Sequence, residues 1–89
     1  MNYMSSAVAL LEKLIRPPKL LLVEDEPLVG AGIVFWLERQ YECELIWAKT
    51  GEDALRVIER EEGFDLAFLN LKLPGISGVE VLRKLNEKR

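Results

Sequence analysis

Two short runs in the chain are apolar without interruption, and the segments around them follow a different period. KLLLV (19–23) and the run 65–70, DLAFLN, do not alternate, which predicts parallel strands buried on both faces. Residues 43–48 add a further strand. Helical spacing takes over from Glu26 to about Gln40. There Leu28, Val29, Ile33, Trp36 and Leu37 form a stripe that predicts the buried face. Gly30, Ala31, Val34 and Phe35 then fall on the face that should be solvated. Glycine inside a helix costs on the order of 1 kcal/mol against alanine, so small residues beside an exposed Phe predict close approach by another helix. Thr50 is placed to cap a third segment running through Leu55, Val57, Ile58 and Glu62, which Gly63 stops. A last helix begins at Ser77 and carries Val79, Val81, Leu82 and Leu85. Ahead of all this, Ser5 and Ser6 can cap a helix over 7–16 with Val8, Leu11, Leu14 and Ile15 on one stripe, ended by Pro17 and Pro18. At roughly three turns that helix is too short to be stable alone, so its stripe is expected to dock.

The order is one helix followed by three strand-helix units. Such alternation predicts an α/β architecture, a parallel sheet with right-handed crossovers and helices on both faces. The chain divides into an N-terminal amphipathic helix with its Pro-Pro link, 1–18, and one small domain, 19–89.

Composition narrows the functions available. Twelve Lys and Arg against fifteen Asp and Glu give a net charge of −3 over 89 residues, with no basic field to neutralise a phosphate backbone. Direct nucleic-acid binding is not expected. Cys43 stands alone and His is absent, which removes an internal disulfide, a zinc-type cluster and the usual general base at neutral pH. The N-terminal apolar run is broken by Glu12, Lys13 and Arg16, is too short to cross a bilayer and lacks the flanks of a signal peptide. No membrane association is expected, and the cytoplasm fits best.

The candidate chemistry sits at strand ends. Glu24 and Asp25 close the first strand and Asn70 closes the third. In open α/β sheets ligands bind at the carboxyl ends of strands, so if those strands are neighbours the three side chains converge. Two carboxylates, an amide oxygen and loop carbonyls form an oxygen set suited to Mg²⁺. The same residues also fit a plainer arrangement, in which Asn70 hydrogen-bonds its own turn and the acids begin a solvated helix.

VEDEPLVG after an apolar strand, GEDAL at the second helix and DLAFLNLKLPGISGVEVL together resemble the receiver domain of two-component response regulators, over 19–89. The resemblance implies a flavodoxin-like sheet of order 2-1-3-4-5. It also implies an acidic pair that holds Mg²⁺, and an aspartate at the end of the third strand that takes a phosphoryl group from a histidine kinase. Residue by residue, Glu24 and Asp25 match the acidic pair, Lys72 matches the position whose backbone carbonyl completes the metal site, and Pro74 and Gly75 match the loop turn. Asn70 matches the phosphoacceptor. Because an amide is no carboxylate nucleophile, phosphotransfer there should fail, and Mg²⁺ should bind weakly.

The family's fourth-strand Ser/Thr and fifth-strand Lys have no counterpart in the sequence, which predicts a truncated, three-stranded 2-1-3 sheet with an added N-terminal helix. The third strand then becomes an open apolar edge, and Phe68 on it predicts a homodimer paired along that edge. The helix over 7–16 is expected to cover the neighbouring surface, with Leu11 and Leu14 meeting Gly30, Ala31, Val34 and Phe35. The leading reading is a non-enzymatic, phosphorylation-incompetent signalling module that works by protein contact. Two alternatives stay open: a piece or an Asp-to-Asn variant of an ordinary phosphoaccepting regulator, and an Mg²⁺-dependent phosphoryl-transfer enzyme.

Overall fold

The computed structural model describes Val8, Leu11, Ile15 and residues 16–88. Val8, Leu11 and Ile15 are helical and exposed. Arg16, expected to be the last residue of that helix, is a bend, and Leu14 with the remaining residues of the expected helix lies outside the described residues. From there the elements are β1 (Lys19–Val23), α1 (Pro27–Gln40), β2 (Glu44–Ala48), α2 (Gly51–Arg60), β3 (Leu66–Leu69) and α3 (Gly78–Lys88). The strands form one parallel sheet, as the strand-helix alternation predicts, and its order β2-β1-β3 is the one that the resemblance implies.

Helix boundaries follow the expected caps. Glu26 caps α1 with Pro27 in its first turn, and the Thr50 hydroxyl accepts from the N–H of Asp53 at 3.0 Å. Gly63 takes a positive φ of 77° after α2. The Ser77 hydroxyl accepts from the N–H of Glu80 at 3.3 Å to start α3.

Alternation along β1 sends its side chains to two different layers. Leu21 and Val23 join Ala48, Ala54, Val57, Ile58 and Val81 in the main core, which α2 and α3 close. Leu20 and Leu22 face the other way and are buried as well, on the side where α1 lies. Lys88 then ties the two helices of the main layer together, because its ammonium donates to the carbonyls of Ile58 at 2.6 Å and Glu59 at 2.9 Å, filling the open C-terminus of α2.

Two expectations are corrected on the α1 side. The stripe Leu28, Val29, Ile33, Trp36 and Leu37 is not the buried face. Only Leu37 is buried, while Leu28 is 82% exposed and Trp36 54%. Gly30, expected on the outer face, is instead buried against the indole of Trp47, where any Cβ would overlap the ring. Val34 is half-buried, and Ala31 and Phe35 are exposed. The cause is the size of Trp47, which projects from β2 and admits only a glycine beneath the helix.

The second correction concerns β3. Among the described residues it is covered on one face only, because Leu66 and Phe68 are exposed while Ala67 and Leu69 are half-buried on the main core. Leu28, Val29, Gly32, Ile33, Trp36, Leu37 and Phe68 therefore line an open apolar groove of about 450 Å³ between α1 and β3.

Candidate functional site

The register of β1 and β3 brings the site together. Val23 pairs with Leu69, so the residues that follow each strand emerge side by side. The ladder continues one step past both ends. Glu24 N–H donates to the carbonyl of Ala48 at 3.1 Å, and Asn70 N–H donates to that of Val23 at 3.0 Å. Glu24, Asp25 and Asn70 are thereby placed on rigid strand ends at the carboxyl edge of the sheet, as expected from their positions.

Their contacts are closer than simple convergence. The Asn70 side-chain Nδ2 donates to Glu24 Oε2 at 3.2 Å and to Asp25 Oδ1 at 3.1 Å. Its Oδ1 faces the loop and accepts from the N–H of Lys72 at 3.0 Å. The expected metal geometry, with the amide oxygen beside the acids, is not the one observed: the nitrogen points at the carboxylates. Glu24 is buried, and its Oε2 also accepts from the N–H of Glu26 at 3.0 Å. That backbone bond is the main influence holding the Glu24 carboxyl below the usual carboxylate range. Burial acts against it, and the Asn70 amide adds to it.

The loop from Asn70 to Gly78 is held by close backbone approach. Gly75 has φ 75°, which suits only glycine, and Pro74 precedes it on the exposed rim. A Cβ on Gly78 would lie 2.6 Å from the carbonyl oxygen of Asn70 and 2.6 Å from Leu71 Cα, and one on Gly51 would overlap the carbonyl of Ile76. Two contributors were missed in the sequence. Glu52, at the start of α2, accepts from the N–H of Ile76 at 3.4 Å. Trp47 donates its indole N–H to the carbonyl of Glu24 at 3.0 Å. The GEDAL segment was a signal for Glu52, but nothing in sequence spacing marks Trp47.

Of the residues expected at an interface, Phe68 lies in the apolar groove and Leu11 is exposed. Gly30 is covered by Trp47 and unavailable there.

The model for the response regulator receiver domain matches residues 20–89. The chain belongs to that family. It is 40% identical over 68 residues to the transcriptional regulatory protein AfsQ1 of Streptomyces coelicolor, across 76% of this chain and 29% of that protein. Among solved structures, the CheY-like receiver domain from Methanospirillum hungatei superposes with a TM-score of 0.76 at 31% identity, covering 83% of this chain and 58% of that one. Response regulator TrrA from Thermotoga maritima, solved in complex with Mg(2+)-BeF, gives a TM-score of 0.72 at 32% identity over 81% of this chain and 61% of that one. The chain thus spans about a third of the curated relatives it matches, and somewhat over half of the solved receiver chains. It is a receiver domain of the two-component type with the flavodoxin-like fold. No helix among the described residues is long and apolar enough to cross a membrane.

The site's side chains do not fit a divalent cation as they stand. A metal wants oxygens at about 2.0–2.1 Å for Mg²⁺, and here an N–H donor is turned toward both carboxylates. Among the described residues, no group of three or more acidic, His or Cys side chains is placed to hold a metal.

Proposed function

We propose that this receiver domain signals by protein contact and takes no phosphoryl group at position 70. The observation that carries this reading is the Asn70 side chain at the carboxyl end of β3, hydrogen-bonded to both members of the acidic pair. By resemblance this is the phosphoacceptor's place. A carboxamide has no anionic oxygen to attack a phosphorus atom, and its nitrogen, not its oxygen, faces the pocket. The module carries no catalytic residue of its own in this reading, and its partners are proteins of a two-component pathway.

The contact surface is the apolar side of α1 and β3. Leu28, Val29, Trp36 and Phe68 are exposed there, and Leu66 is exposed on the same strand. A strand edge and an apolar patch of this kind favour pairing with another chain, and a second copy would cover both at once.

The test of the phosphoryl reading is a nuclear magnetic resonance titration with beryllofluoride and Mg²⁺. Amide signals of residues 24, 25 and 70–72 are expected to stay in place. Saturable shifts of those signals that require beryllofluoride, beyond any produced by Mg²⁺ alone, would contradict the proposal.

A further inference from the structure

We propose that the Asn70 carboxamide occupies the acidic pocket in place of a divalent cation, so that the folded domain is assembled without Mg²⁺ and is indifferent to it. This rests on the reading of the pocket as the receiver's acidic site.

The argument is one of donors and acceptors. A carboxamide has two N–H donors on one atom and an acceptor oxygen on another. All are used. Nδ2 bridges Glu24 Oε2 and Asp25 Oδ1, joining the two carboxylates that a cation would otherwise join. The N–H of Lys72 donates to Oδ1 and so fixes which way round the amide sits. Turning it over would set an oxygen against two carboxylates and an NH₂ group against an N–H, losing three hydrogen bonds at once. The groups around it leave little freedom for a compromise. Asn70 and Glu24 are each anchored through their own backbone N–H to a neighbouring strand, and Glu24 Oε2 is already shared with the N–H of Glu26. A cation approaching these carboxylates meets the positive edge of the amide first. An aspartate at position 70 would keep the bond from the Lys72 N–H but would replace the two donor contacts to Glu24 and Asp25 by a third anionic group in the pocket.

The experiment is calorimetric titration of the full chain with MgCl₂ at constant ionic strength, with thermal unfolding followed in parallel, on the wild type and on Asn70→Asp. The wild type is expected to give no saturable heat and an unchanged melting temperature at millimolar Mg²⁺. Asn70→Asp is expected to bind Mg²⁺ on the order of tenfold or more tightly than the wild type, with a melting temperature that rises as Mg²⁺ is added. Equal binding by the two would overturn the proposal. Silence in both would overturn it too, because the amide would then not be what keeps the ion out. Should Asn70→Asp fold only with Mg²⁺ present, rescue of its far-ultraviolet circular dichroism by the ion supports the proposal in the same way. Mg²⁺ binding by a wild type that takes no phosphoryl group would defeat this inference alone, whereas phosphoryl uptake by the wild type would defeat the proposed function.

Discussion

The indole N–H of Trp47 donates to the backbone carbonyl of Glu24 at 3.0 Å, so one side chain from β2 both supports α1 and steadies the acidic strand end. Its ring fills the space beneath Gly30. One side chain therefore links the rotational setting of α1 to the acidic strand end.

The two glycines of α1 should respond in opposite directions to the same substitution. Gly30→Ala drives a Cβ into the Trp47 ring, an overlap costing about 1–3 kcal/mol against a gain in helix propensity of about 1 kcal/mol. Gly32 has open space around it, so Gly32→Ala keeps the gain alone. Urea unfolding is expected to give a lower midpoint for the first variant and a higher one for the second.

Every strand-helix unit was legible in the sequence, because continuous apolar runs and caps are local signals, whereas the order of the strands came only from the resemblance to receiver domains. The convergence of Glu24 and Asp25 with Asn70 was legible only on the condition that the first and third strands are neighbours, which the structure shows. The buried face of α1 was not. That helix is apolar nearly all round, so periodicity could not choose a face, and the choice was made by Trp47 from another element. The amide orientation of Asn70 was hidden for a similar reason, as it is set by the N–H of Lys72 in the folded loop.

Acid should weaken the domain partly through Glu24. Its carboxyl is held below its ordinary value by the N–H of Glu26 and, to a lesser extent, by Asn70. A depressed carboxyl contributes stability that is fully present above the unfolded value, about 4.3, and is lost as pH falls through the folded value. Asn70→Ala removes one of the donors. Its unfolding midpoint is expected to be lower than the wild type's at pH 7 and to fall less between pH 5 and pH 3.

Gly78 tests the coupling of α3 to the pocket. In Gly78→Ala the new Cβ meets the carbonyl of Asn70 and Leu71 Cα, so the loop must shift where Asn70 begins it. The Lys72 amide proton, bonded to Asn70 Oδ1, is expected to move upfield and to exchange faster with solvent.

The proposed contact surface is separable from the rest of the exterior. Phe68 in the groove and Val79 on α3 are both exposed, yet only the former belongs to the α1 and β3 face. Phe68→Lys is expected to lower self-association in sedimentation equilibrium, while Val79→Lys leaves it unchanged.

The most direct test of the central claim is intact-mass spectrometry after incubation with acetyl phosphate and Mg²⁺, on protein checked for deamidation at Asn70. The wild type is expected to show no phosphate-sized gain in mass. A gain that disappears in Asn70→Ala would place the phosphoryl group at this residue and contradict the account.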